Sequence, residues 1–134
     1  MAVVMLAIYQ SVFAFPIGSI DPQVKKFTVS NMTMITGEFD TNVVGKIKNI
    51  SNETQYAMSA VVESYSANNQ LIGVDEGDSS YGMLSVGQES PFEVSIDQAI
   101  VKDIDHYVVG VKSTNQEPKT LFDLADLAKN NTDN

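Results

Sequence analysis

The chain has no cysteine, no tryptophan and only one histidine among its 134 residues, and every one of its eight positive side chains is lysine. The absence of cysteine excludes disulfide scaffolds, thiolate metal sites and cysteine nucleophiles together. It leaves the compartment open, because an exported domain of this size can fold without disulfides. A zinc site needs several His or Cys ligands, so His106 alone cannot build one. Seventeen acids against eight bases give a net charge of -9. Phosphate neutralisation needs clustered cations, so this balance argues against DNA, RNA or anionic lipid as partners. The acidity reads as a soluble, self-repelling surface, with a cation-binding surface as the alternative.

Signatures of catalysis are equally scarce. Nucleophilic chemistry needs a nucleophile, a base and a group that orients the base. His106 stands at the mouth of an expected strand with no G-x-S-x-G elbow, and the default reading is a strand-end histidine. No phosphate loop or dinucleotide fingerprint occurs. No enzyme activity and no cofactor are expected.

What is present begins with an apolar run from Ala2 to Phe15. As a helix it would span about 21 Å at about 1.5 Å per residue. A bilayer core is about 30 Å thick, so the run is short for a transmembrane span and fits a signal peptide's apolar region. Val12 and Ala14 occupy the positions a signal peptidase reads, although no Lys or Arg precedes the run. The expected division is a signal peptide over 1–14, a turn-rich joint over 15–22, a β-sandwich over 23–117, and a short helix with a polar tail over 118–134. The alternative makes the first residues part of the fold.

Strand signals then recur at the short spacing of a sandwich. The run from Val24 to Ile35 has Phe27 and Val29 on one face, then Met32 and Met34. Val43, Gly45 and Ile47 mark the next, with Lys46 and Lys48 turned to solvent. Gly45 permits a bend or a close backbone approach. In the long strand from Gln55 to Ser66, alternation places Tyr56, Met58, Ala60 and Val62 together. Asn68 and Asn69 favour a hairpin turn, and Leu71 to Val74 returns. Asp75 to Ser80 reads as an acidic loop. Ser85 to Pro91 reads as a turn, with Gly87 at a positive φ and Pro91 opening a strand. Phe92, Val94 and Ile96 alternate cleanly. Gln98 to Asp105 reads as a connection or single helical turn, and His106 to Thr114 as the last strand with Tyr107, Val109 and Val111 inward. After Pro118, Thr120 and Asp123 form a capping box for a helix over Leu121 to Lys129. About seven strands in roughly 100 residues point to an immunoglobulin-like antiparallel β-sandwich.

The stretch 38–97 resembles the FxLYD domain, a family of small β-sandwich modules in exported proteins. Val44-Gly45-Lys46-Ile47-Lys48-Asn49 is similar to its G-x-V-x-N strand. Val61 to Tyr65 sits at the naming motif, where Tyr65 stands but Val62, Ser64 and Ser66 replace Phe, Leu and Asp. Asn69 to Gly73 resembles the returning strand. Leu84 to Phe92 resembles the turn before the next strand, with Val86 in place of its Pro. The resemblance implies a binding or structural module outside the cytoplasm, with no catalytic residues to carry over.

The candidate sites are few. Asp75, Glu76 and Asp78 offer carboxylates to calcium, a cation that prefers oxygen, without the EF-hand spacing. N-glycosylation sequons occur at Asn31, Asn49, Asn52 and Asn130, and Asn49 and Asn52 in their turn are the best-placed acceptors. Tyr65 is expected to pack its ring at the sandwich edge with its hydroxyl on backbone or water. The leading expectation is a non-enzymatic, secreted or envelope-associated module contacting an unknown protein, with no membrane span in the mature chain. The alternatives are a ligand or calcium-binding module and a cytoplasmic structural domain.

Overall fold

Alternating apolar residues produce eight strands: β1 (Ile17–Ile20), β2 (Phe27–Thr36), β3 (Thr41–Asn49), β4 (Gln55–Tyr65), β5 (Leu71–Asp78), β6 (Met83–Leu84), β7 (Glu89–Ser95) and β8 (His106–Thr114). The computed structural model describes residues 16–118. The leader expected over 1–14 and the helix expected over 121–129 lie outside the described residues. Two sheets face each other in an all-β, immunoglobulin-like sandwich. The larger sheet runs β1-β8-β4-β5, with β6 also on β4, and the smaller runs β2-β3-β7. All pairings are antiparallel except β1 with β8.

The core follows the period of two. In β3, Val43 and Ile47 are fully buried while Lys46 and Lys48 stay in solvent. Phe92 and Val94 of β7 meet Met58, Ala60 and Val62 of β4 and Tyr107 and Val109 of β8 in one buried cluster. The ring of Phe92 lies over Gly45, where a side chain would collide with it. Burying each Val, Ile or Phe side chain contributes about 1.5–3 kcal/mol. The connection from β7 to β8 adds Ile96 and Ile104 to this core, with a single 3-10 turn at Val101–Asp103.

Two bulges reset the alternation. In β2 the pairing with β3 shifts between Ser30 and Thr33, and Asn31 takes a φ of 53°. One extra residue turns the odd-numbered Phe27 and Val29 and the even-numbered Met32 and Met34 toward the same face. In β4 the pairing with β8 shifts between Tyr56 and Ser59, and Ala57 has a φ of 53°. This corrects the expectation that Tyr56 shares a face with Met58. Gln55, three residues before Met58, is the one buried. At the same point β4 exchanges its neighbour β6 for β5.

Three further segments differ from expectation. Ile17 to Ile20 is a strand within the larger sheet, where the sequence reads as a joint. Pro16 precedes it and Asp21-Pro22 follows it, and its register is set by β8, a partner far along the chain. Asp75 to Asp78 continues β5 instead of forming a loop. Its acids alternate faces, and the ladder to β4 outweighs the low strand propensity of Asp and Gly. Pro91 is the third residue of β7. Its carbonyl accepts from Ser80 N–H at 2.8 Å, on the side away from β3, so the missing proline N–H breaks no bond to β3.

That same Ser80 contact, with the bridge between Ser79 and Phe92, closes one side of the sandwich. Closure requires β5 to approach β7 at Gly77, where a Cβ would overlap the Glu93 carbonyl oxygen. Gly77→Ala is therefore expected to cost about 1–3 kcal/mol. Gly82→Ala, with open space around its Cβ, is expected to cost far less. Urea unfolding of both variants checks the difference.

Candidate functional site

Four features have chemistry to offer: the acids of β5, the asparagines of the 49–54 turn, the His106 end of the larger sheet, and the unpaired strand edges.

The strand conformation separates the three β5 acids. Asp75 pairs with inward-facing Val62, while Glu76 pairs with Val61 and Asp78 with Ser59 on the outward face. Both oxygens of Glu76 lie 2.9 Å from Lys112 Nζ. This lysine holds the Glu76 carboxyl below its ordinary pKa. Asp78 accepts from Ser59 Oγ at 3.0 Å. Asp75 keeps one buried oxygen without a partner among the described residues. Its pKa is raised, first by burial. The Asp97 N–H favours its charged form, and the nearby Asp97 carboxylate opposes it. Among the described residues no three His, Asp or Glu side chains gather into a metal-binding group. The segment expected as an acidic loop is therefore a strand, with Asp75 on one face and Glu76 and Asp78 on the other.

Asn49 is fully buried. Its amide donates to the carbonyls of Glu53 and Leu84, both at 2.9 Å, and its side-chain oxygen accepts from Ser51 N and Oγ at 3.0 and 2.7 Å. In the folded chain the Asn49 amide is thus fully occupied by these partners. Asn52 and Asn31 are exposed.

His106 faces Tyr65 across the β8–β4 pairing. The two rings stack with centroids 5.2 Å apart and an interplanar angle of 6°. His106 Nδ1 lies 2.8 Å from Asp105 Oδ2, and Nε2 lies 3.0 Å from Asn69 Oδ1. Asn69 occupies the β4–β5 turn with a φ of 62°, so the imidazole joins that turn to the start of β8. The Tyr65 hydroxyl donates to Glu63 Oε2 at 3.0 Å, not to backbone or water as expected. This bond, with desolvation and the charges of Glu63 and Asp21, raises the Tyr65 pKa. Among the described residues the ring of His106 meets Asp105, Asn69 and Tyr65. Glu63 and Asn69 went unnoticed as partners because they depend on strand register, although Glu63 and Tyr65 are legible as same-face neighbours two residues apart.

The remaining feature is the edge of β2, which among the described residues pairs only with β3. Exposed Ile35 and, in the following turn, Phe39 at 85 % exposure flank it. Comparisons with family models, curated proteins and solved structures return no match. Among the described residues no helix is long and apolar enough to cross a membrane.

Two measurements check this geometry. Asp75 has its pKa raised above the unfolded value, so its favourable contribution is complete below pH 3.8 and is lost as pH rises through the folded pKa. Asp75→Asn should therefore raise the unfolding midpoint at neutral pH, with the gain shrinking as pH falls toward 3.8. Calcium should leave the thermal midpoint of the native chain unchanged, since a ligand stabilises only the state it binds. A dose-dependent rise would restore the calcium reading.

Proposed function

We propose that the chain is a non-enzymatic module, exported to the cell envelope or beyond, that contacts a partner protein by strand addition. The carrying observation is the ten-residue edge strand β2, paired on one side only among the described residues. An unpaired edge presents N–H and C=O groups that an extended segment can continue. Gly37 N–H bonds Asp40 across the hairpin, and antiparallel bonding alternates along a strand. Thr36 N–H and C=O therefore point away from β3, toward an incoming strand. Export is supported by the apolar run Ala2 to Phe15 and by the resemblance to FxLYD domains, both features of the sequence. A calcium or small-ligand reading gains no comparable support: Asp75 lies on the opposite face from Glu76 and Asp78, which are engaged by Lys112 and Ser59.

Thr36→Pro removes one outward donor without breaking a bond to β3. It should weaken partner binding about tenfold while leaving the urea midpoint within about 0.5 kcal/mol of the native value. Unaltered binding would refute edge addition. Mass spectrometry of native, fractionated protein should find a mature end at Phe15 in an envelope or medium fraction. An intact Met1 in cytosol would overturn export.

A further inference from the structure

The outward face of the larger sheet is not used by edge addition, and its side chains are unusual for a solvated face. Val62 and Val109 are fully buried, so alternation turns Val61 and Val108 outward. Glu63 pairs with Val108 on one side and Val74 on the other. Val74 is 57 % exposed, and Leu71, opposite Tyr65, is 53 % exposed. Gly110 lies opposite Val61 and adds no side chain, leaving a shallow gap. Three strand spacings of about 4.8 Å by six steps of about 3.3 Å give a face of about 14 by 20 Å. Val61, Val74, Val108 and Leu71 form the apolar part of this face, around Glu63.

The charge of this face is one-sided. Glu63, Glu76 and Asp78 lie on it, and the Asp21 carboxylate reaches to within 3.9 Å of the Cβ position of Gly110. Lys112 is the lysine set against them, and it is committed to Glu76. The smaller sheet's outward face is balanced by contrast, with Lys46 and Lys48 beside Glu89 and Glu93. Glu63 is half-buried between two valines. Tyr65 fixes one of its oxygens, and among the described residues no lysine is paired with it. Stacking on His106 steadies that tyrosine in turn.

We propose that this face docks a basic partner protein through an apolar centre, with an arginine of the partner seated on the Glu63 carboxylate. Arginine is favoured over lysine because its weakly hydrated, planar guanidinium loses less on entering a half-buried site and meets a carboxylate in two places. A second copy of this chain is disfavoured, since self-association would bring together two faces of the same negative sign. The proposal rests on the protein-contact reading but uses a surface separate from the β2 edge.

Nuclear magnetic resonance of the full, isotope-labelled chain tests it. The probe is a short peptide of alternating arginine and leucine, with an alternating glutamate and leucine peptide as control. Saturable amide shifts are expected at Val61, Glu63, Val74 and Val108 with the basic probe alone, weakening as salt is added. Glu63→Gln removes the charge at constant size. Gly110→Lys places a competing cation where a Cβ has room. Each should weaken binding about tenfold, with the spectrum of the free protein retaining its native dispersion. Glu89→Gln, on the opposite face, and Thr36→Pro, at the β2 edge, should not change it. Shifts along β2 instead would sink the docking face while leaving strand addition standing. Equal response to the acidic peptide, or unchanged affinity in both face variants, would also overturn the proposal. Self-association of the protein without peptide through these residues would reassign the face to a second copy.

Discussion

Asn49 is the residue on which one end of the sandwich depends. Its main-chain N–H donates to Gln88 at 3.0 Å and its carbonyl accepts from Gly87 at 2.7 Å. Its side chain meanwhile reaches Glu53, Leu84 and Ser51. One buried residue thereby joins the end of β3, the turn after it, strand β6 and the turn before β7. A buried amide without partners would cost more than the bonds return, so these segments must all be in place together. The network extends through Ser51 to Gln55, whose own oxygen accepts from Ser113 at 2.7 Å. A polar cluster thus fastens the two sheets where the apolar core ends.

The opposite end is held differently. There the ladder of β4 and β8 ends in the Tyr65–His106 stack, and the imidazole spans from Asp105 to the Asn69 turn. These bonds are at the surface, where water competes, and each contributes less than its buried counterparts around Asn49. The end held by exposed contacts is also the end beside the apolar outward face. The two ends of the sandwich are therefore held by different kinds of contact, buried at one and exposed at the other.

The legibility of these features in the sequence follows physical lines. Alternation made β3, β7 and β8 plain, because one face is buried and the other solvated. In β2 the sequence passes from Phe27 and Val29 to Met32 and Met34, a change from odd to even positions that is the trace a bulge leaves. The bulge in β4 left no such trace. Both Tyr56 and Gln55 could be placed inside, and only the hydrogen-bond partners of Gln55 decide for it. The acidic run 75–78 resembled a loop because its composition opposes a strand, and the ladder from β4 overrides composition. Cross-strand partners such as Glu63 with Val108, or His106 with Asn69, need a register that no local pattern records.

The bulge at Asn31 also limits what β2 can join. Its extra residue puts the strand's two halves out of phase, so a straight incoming strand matches one half and misses the other. The ladder offered is only about four residues long on either side. A long flat edge would let chain upon chain stack into a growing fibril, as cross-β assemblies do. An interrupted edge offers only a short ladder on either side of the bulge. Asn31, set at a backbone angle that asparagine tolerates better than most residues, keeps a sticky edge from becoming a template for polymerisation.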